Sequence, residues 1–86
     1  MSETHNLKID PDYFEAVSAG VKTFEIRKND RNYKVGDYVD LREFDRQQQC
    51  YTGASVLKQI GYITDYKQRE GYVVFSLREI YLSGHN

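Results

Sequence analysis

The side chains with the clearest chemical potential in this 86-residue chain are charged groups close together in one segment. Lys22, Glu25 and Arg27 fall within six consecutive positions. An ammonium and a guanidinium can bind phosphate or base oxygens. A carboxylate can accept a hydrogen bond from an exocyclic base amine, or act as a general base. The functional interpretation of this spacing is that the three side chains line one polar cleft.

The segment that follows extends the positive charge. Residues 22–34 carry five cations against two carboxylates, a local charge of +3 in a chain whose formal net charge is −1. Basic residues beside an aromatic ring suit single-stranded nucleic acid, because phosphates pair with the cations and bases stack on the ring. A solvated loop explains the composition equally well. The residues predicted at the rim of the cleft are Lys28, Asn29, Arg31 and Tyr33.

The charged residues also have structural interpretations. Lys22 follows a predicted helix end, where it could satisfy the last carbonyls and the negative end of the helix dipole. Glu25 and Arg27 could form a surface ion pair worth about 0–1 kcal/mol. His5 could be a pH-sensitive ligand contact or only a residue at a strand end. The net charge of −1 argues against strong non-specific binding to duplexes, which requires a larger basic face.

Composition places the chain among small folded domains. It is 40% hydrophobic and 29% charged, and we expect one domain over residues 1–86. The single cysteine, Cys50, excludes an intramolecular disulfide, and no neighbouring His or Cys indicates a metal site. No apolar run reaches the length of a membrane span, and the first residues lack a signal-peptide pattern. We therefore expect a cytoplasmic monomer without metal or cofactor.

The order of predicted elements is a strand, a helix and four more strands. Asp10 and Pro11 predict a helix start, and Gly20 predicts its end. In the strand that follows, Phe24 and Ile26 share one face, and the other face carries Thr23, Glu25 and Arg27. The predicted bounds are a strand at residues 6–9, a helix at 11–19, and strands at 22–27, 38–44, 55–64 and 72–81. Loops are predicted at 28–34, 45–53 and 65–71, with a frayed tail at 83–86.

The predicted fold is mostly β, an α+β arrangement of about five strands with one short helix after strand 1. In strand four, Ile60 and Tyr62 are assigned to one face, and Leu57 and Ile63 to the other. Gly61 between them indicates a bulge or a bend. Because both faces of the last two strands carry apolar residues, we expect a sheet that curls toward a barrel, with the helix covering one end.

Several motifs along the chain resemble the small bacterial and phage branch of the ASCH superfamily, catalogued as a domain of unknown function. The resemblance covers nearly the whole chain and implies a PUA-like β-barrel. It also implies a cleft beside the helix and the Gly-x-Lys strand, which receives RNA or a nucleotide-like ligand. The matching segments are His5-x-Leu7-Lys8-Ile9, Tyr13-Phe14, Gly20-x-Lys22-x-Phe24-Glu25-Ile26-Arg27-Lys28-Asn29-Asp30-Arg31, Val35-Gly36-Asp37, Leu41-Arg42-Glu43, Tyr51-Thr52-Gly53 and Gly71-Tyr72-Val73-Val74.

Some ASCH proteins remove the acetyl group from N4-acetylcytidine with a Lys, a nucleophilic Thr and a Glu. The resemblance places that Lys at Lys22, but the position of the nucleophile holds Glu25. Thr23 lies on the same strand face without matching the motif. Glu70 lies in a segment too short to correspond to the one that carries the catalytic Glu. No nucleophile is therefore carried over, and no catalytic residue is assigned.

Three functions remain open from the sequence. The first is a non-catalytic module that binds RNA or a nucleotide through a basic cleft. The second is a nucleoside or RNA hydrolase that uses Lys22 with Glu25 as general base. The third is a small regulatory protein whose partner is another protein.

Overall fold

The described part of the chain forms a single curled sheet of five strands, with one short helix after the first strand. A computed structural model describes residues 2–80, and in this range it confirms the predicted class, mostly β with a curled, half-open barrel. Residue 81, where strand five was predicted to end, and the tail at 83–86 lie outside the described residues. The elements are β1 (Thr4–Ile9), α1 (Pro11–Ser18), β2 (Phe24–Lys28), β3 (Tyr38–Asp45), β4 (Cys50–Thr64) and β5 (Tyr72–Arg78).

The order of strands across the sheet is β1-β3-β4-β5-β2. β1 and β3 are parallel, and the other neighbouring pairs are antiparallel. A parallel pair requires a crossover connection, and here α1 and β2 lie between β1 and β3 in the chain. This crossover places β2 beside β5 and leaves β1 and β2 as the two edges of the sheet.

Helix α1 begins where the sequence predicts. Pro11 occupies the first helical turn, where its missing N–H costs nothing. Asp10 has the extended backbone of an N-cap, but its carboxylate forms no capping hydrogen bond. At the other end Gly20 has φ +78°, and the backbone N–H groups of Val21 and Lys22 both donate to the carbonyl of Ala16. At eight residues α1 is too short to cross a membrane, and the described residues include no longer helix.

The hydrophobic core lies on the concave face of the sheet. Val17 from α1 is fully buried, and its helix packs against β3. Phe14 and Ile63 pack at the margin of the core. The buried core residues are Leu7, Ile9, Val17, Tyr33, Val39, Leu41, Ile60, Val73, Phe75 and Leu77.

Gly61 lies in the bulge that the sequence indicated. The pairing register between β4 and β5 shifts between Ile60 and Ile63, so both of these side chains face the core. Leu57 and Tyr62 are exposed. The face assignment made from simple alternation is therefore wrong, because a bulge adds one residue and reverses the phase of the strand.

The hairpin between β3 and β4 is tighter than predicted. A loop at 45–53 was expected, but β4 begins at Cys50, which pairs with Asp45. The Asp45 carboxylate accepts hydrogen bonds from the backbone N–H groups of Gln47 and Gln48, at 2.9 and 3.1 Å. This local turn brings the strands back into register within four residues, so the ladder extends through a polar sequence.

A buried polar cluster fastens the loop between β2 and β3 to the first strand. A hydrogen bond of 2.9 Å joins His5 Nε2 to Asp37 Oδ2. The same carboxylate accepts from the backbone N–H groups of Glu3 and Lys34, both at 3.1 Å. The ring of Tyr33 lies in the core, with its centroid 4.9 Å from that of His5 and 4.9 Å from that of Phe75.

These contacts determine the ionisation of Asp37. Burial opposes the charged form, but the hydrogen bond from His5 and the two backbone N–H groups outweigh it and hold the pKa of Asp37 below its ordinary value. Between the lowered pKa and the ordinary value near 3.8, the unfolded chain binds more protons than the folded one. The stabilisation is therefore present above the ordinary pKa and is lost as pH falls through the folded-state value.

We expect Asp37→Asn to lower the free energy of unfolding at pH 7 by about 2–3 kcal/mol, because an amide cannot accept all three bonds as an anion does. Urea unfolding between pH 7 and pH 3 measures both the loss and its pH dependence. The wild type should lose stability below about pH 4, and the variant should lose less over the same interval. Asp40→Asn, which removes only a surface ion pair with Arg42, is the control and should change stability by about 0.5 kcal/mol or less. Equal losses of unfolding free energy in the two variants would contradict the stabilising role of the buried Asp37 carboxylate.

Candidate functional site

A cavity of about 460 Å³ opens between the two edge strands of the sheet. Four consecutive residues of β2, from Phe24 to Arg27, line it. Successive side chains of a strand point to opposite faces, so a cavity lined by four in a row lies along the edge of the strand. The other lining residues come from β1, the start of α1, the segment before β2 and the β3–β4 turn, and they are Lys8, Ile9, Asp10, Tyr13, Lys22 and Arg46.

Glu25 is the buried centre of this cleft. It pairs with Phe75 in the β2–β5 ladder, so its side chain shares the concave face with the core, and the residue is 5% exposed. Oε1 accepts from Lys22 Nζ at 2.5 Å. Oε2 accepts from Arg27 at 2.8 Å and 3.2 Å. A buried carboxylate requires such partners, because an unpaired one would be costly to desolvate.

Lys22 is held in the cleft by more than this ion pair. Its ammonium also donates to the Phe24 carbonyl at 2.7 Å, and it lies 4.8 and 5.4 Å from the ring centroids of Phe24 and Tyr13. Both separations are within the range of a cation–π contact. The structure therefore directs the Lys22 side chain at the cleft, and only the backbone N–H of Lys22 satisfies a helix carbonyl.

Arg27 connects the two edges of the sheet. Its guanidinium binds Glu25 from β2 and also donates to the Lys8 carbonyl of β1, at 2.9 Å. A planar guanidinium with several donors can make both contacts at once. Arg27 thus spans the opening between β1 and β2 at one level of the cleft.

The mouth of the cleft combines a charged pair with exposed apolar side chains. Arg46 Nε donates to Asp10 Oδ1 at 2.6 Å, and both side chains remain substantially exposed. Phe24 and Ile26 are 44% and 52% exposed. The alternation of β2 is therefore inverted, since the acidic residue is inside and the apolar ones are outside. The register with β5 imposes this arrangement, because it places Glu25 opposite the buried Phe75.

The predicted rim residues lie away from this cavity. Lys28 ends β2 and is exposed, as is Arg31. Asn29 is a turn residue, since its side-chain oxygen accepts from the Tyr33 N–H at 3.1 Å and its N–H donates to the Gly71 carbonyl at 2.8 Å. None of the four lines the cleft. Tyr33 was predicted at the rim of the cleft, where a base could stack on its ring, but the ring is buried in the core.

The electrostatics of Tyr33 follow from this position. Burial raises the pKa of its phenol, and the nearby guanidinium groups of Arg27 and Arg31 only partly oppose the effect. The hydroxyl therefore stays protonated at neutral pH.

Seven of the ten residues that line the cleft were not predicted as site residues, namely Lys8, Ile9, Asp10, Tyr13, Phe24, Ile26 and Arg46. Tyr13 was interpreted as part of the helix pattern, although the residue is 55% exposed and its ring faces Lys22. Arg46 was placed in a solvated loop, and nothing near it in sequence indicates its contact with Asp10. Within residues 2–80 the structure brings together no group of three metal-binding side chains.

Comparison with known proteins identifies relatives of this chain. A family model described as "Domain of unknown function (DUF3850)" matches residues 4–77. A protein of Escherichia phage P2, named "Uncharacterized 12.9 kDa protein in GpA 3'region", is 40% identical over 65 residues. The match covers 76% of this chain and 58% of the phage protein.

We expect Glu25→Gln to destabilise the fold by about 2–4 kcal/mol, because it leaves two partly buried cations without their counter-charge. Urea unfolding should show that added salt recovers part of this loss, since salt screens the remaining repulsion. In the double variant with Lys22→Met the losses should be less than additive, with a coupling of about 0.5–3 kcal/mol. Glu43→Gln, which changes an exposed carboxylate bonded to Thr52, is the matched control. Additive losses would show that Lys22 and Glu25 are not coupled.

Proposed function

Since the chain belongs to the family described as Domain of unknown function (DUF3850), we propose its function from the chemistry of its own cleft. The protein is a binding module that holds single-stranded RNA or a nucleotide between β1 and β2. The cleft has the size of a small-molecule site. Lys22, Arg27 and Arg46 supply positive charge, and Phe24 and Tyr13 supply rings for stacking.

The composition of the cavity wall carries this proposal. Four cations and two carboxylates line the cavity, together with two exposed aromatic rings. Phosphates require cations, and bases require flat apolar surfaces on which to stack. A site for an uncharged apolar ligand would not need four cations, and a site for bare phosphate would not need exposed rings.

The buried carboxylate supports the same interpretation. Glu25 holds Lys22 and Arg27 in position before any ligand arrives, and pre-positioned side chains lower the entropic cost of binding. A buried ion pair often contributes less stability than an apolar cluster of the same volume. A chain with so small a core has little reason to keep this cluster for stability alone.

We also propose the fold family, the location and the additional ligand contacts that the sequence motifs imply. The resemblance to the ASCH superfamily supports a PUA-like fold and an RNA ligand, and a cytoplasmic location accords with that ligand. Where the RNA strand continues beyond the cavity, its phosphates contact Lys28, Asn29 and Arg31. Because the match spans 58% of the phage relative, the proposal concerns this domain.

Replacing a cation at the cleft should weaken binding more than replacing one in the loop. Arg46→Gln should lower the affinity for a short single-stranded RNA by on the order of threefold to tenfold, and flatten the slope of log K against log salt by about 0.7. Arg31→Gln is the matched control, since it removes the same charge from the exposed loop. Fluorescence anisotropy at two salt concentrations measures both quantities.

The relative effects locate the binding site. If Arg31→Gln lowers the affinity more than Arg46→Gln does, the binding site lies on the loop at 28–34 and not in the cleft. If neither variant changes affinity or slope, RNA binding by this surface is wrong and a protein partner becomes the leading candidate.

Stacking makes a second, charge-independent prediction. Phe24→Leu keeps an apolar side chain but removes the ring, and should lower RNA affinity by about 1–3 kcal/mol. Tyr62→Leu removes a ring from β4 that lies outside the cavity and is more exposed than Phe24, at 67% against 44%, and it should have no effect. Isothermal titration with one short RNA compares the two variants, and equal affinities would exclude Phe24 as a stacking platform.

We expect no deacetylation of N4-acetylcytidine by this protein. Glu25 stands where the resemblance expects a nucleophilic Thr, and both of its oxygens accept hydrogen bonds from cations. Chromatographic product analysis tests this, with Lys22→Ala as the comparison. If the wild type deacetylates N4-acetylcytidine and Lys22→Ala does not, the protein is a hydrolase and the proposal of a non-catalytic binding module is wrong.

A further inference from the structure

The free edge of β2 can be identified residue by residue. In an antiparallel ladder the residues of one strand direct their backbone groups alternately toward and away from the neighbouring strand. The Thr23 carbonyl accepts from the Leu77 N–H at 2.9 Å, and the Asn29 N–H donates to the Gly71 carbonyl at 2.8 Å. Odd-numbered residues of β2 therefore face β5. The N–H and C=O groups of Phe24, Ile26 and Lys28 point away from β5, toward the open side of the sheet.

The free edge of β1 follows from the same reasoning. Tyr38 N–H donates to the Glu3 carbonyl at 2.8 Å, so the odd-numbered residues of β1 face β3. Lys8 then directs its backbone groups to the open side. The hydrogen bond from Arg27 to the Lys8 carbonyl agrees with this assignment. The cleft is thus bordered by two strand edges whose outward backbone groups face each other.

Side chains of the cleft already satisfy part of these edges. Lys22 donates to the Phe24 carbonyl at 2.7 Å, and Arg27 donates to the Lys8 carbonyl at 2.9 Å. For Ile26, which lies between Glu25 and Arg27 on the cavity wall, the structure gives neither backbone group a hydrogen-bond partner among residues 2–80. Ile26 therefore presents an adjacent donor and acceptor in the middle of the cleft.

We propose that the backbone N–H and C=O of Ile26 bind the Watson–Crick edge of an unpaired base, while the cations of the cleft bind its phosphate. This inference rests on the proposed function and specifies that the protein recognises the pairing edge of a base. Each of the four bases carries a neighbouring donor and acceptor on its pairing edge, and that pattern complements the two groups of one extended residue. A duplex cannot bind in this way, because its pairing edges are already occupied.

An extended peptide could use the same strand edge, as in β-augmentation. The surroundings of Ile26 favour the nucleic acid. Arg27 and Lys22 are adjacent, and the rings of Phe24 and Tyr13 flank the ammonium of Lys22. A peptide backbone requires neither cations nor aromatic rings beside it, whereas a nucleotide uses both.

Proline substitution tests the Ile26 donor directly. Proline removes a backbone N–H, and a strand tolerates it where that N–H faces the open side of an edge. Ile26→Pro should lower the affinity for a short single-stranded RNA containing all four bases by about tenfold or more, equivalent to about 1.4 kcal/mol. Asn6→Pro is the matched control, because Asn6 is an exposed residue of β1 whose backbone groups also face the open side, and it lies outside the cavity. Ile26→Ala separates loss of the side chain from loss of the N–H.

The expected result is a large loss of affinity for Ile26→Pro, with Asn6→Pro and Ile26→Ala within about twofold of the wild type. Equal losses for Ile26→Pro and Ile26→Ala would overturn the proposal, since the side chain would then be responsible. A wild type that binds no RNA would refute the proposed function itself and this inference with it.

Chemical footprinting provides a test that does not depend on how Ile26→Pro folds. Dimethyl sulfate modifies N1 of adenine and N3 of cytosine, and a water-soluble carbodiimide modifies N3 of uracil and N1 of guanine. RNA bound to the wild type should show a base protected on its pairing edge. Bound RNA with every pairing edge still reactive would overturn the proposal while leaving RNA binding itself intact.

Discussion

The opening between β1 and β2 is the constraint on which the rest of this structure depends. The sheet curls far enough to bring its two edges together, but the crossover through α1 and β2 leaves them without a shared ladder. Unpaired strand edges invite association with other chains. This protein joins them through Glu25 and Arg27, whose guanidinium reaches the Lys8 carbonyl. Side-chain bonds thus take the place of the backbone ladder that would close a full barrel.

Two buried polar clusters have different consequences for this small domain. The cluster of His5 and Asp37 fastens a loop to β1, and its hydrogen bonds are satisfied within the fold. The cluster of Lys22, Glu25 and Arg27 contains one carboxylate and two cations, so it retains positive charge after internal pairing. The first cluster is explained by stability alone. The second holds charge beside a cavity, and that difference is why the proposed function is assigned there.

The position of the cleft also affects its motion. Local opening of a folded protein is easiest where few backbone hydrogen bonds hold neighbouring elements together. Among residues 2–80 only side-chain hydrogen bonds hold the junction between the two edges, so it should open more readily than the interior ladders. A ligand that pairs with both edges would reduce this opening, which couples binding to the closure of the sheet.

Local patterns in the sequence determined the strand and helix order, the helix start at Asp10 and the bulge at Gly61, because turn, cap and bulge signals depend on neighbouring residues. The proximity of Lys22, Glu25 and Arg27 was evident for the same reason. Only the tertiary structure decided which face of β2 is buried, since that depends on the β5 register that sets Glu25 opposite Phe75. It also placed Tyr33 in the core and brought Arg46 to the cleft. Arg46 and Asp10 are 36 positions apart in the chain. Contacts of this kind depend on how the whole chain folds, and local residue patterns do not predict them.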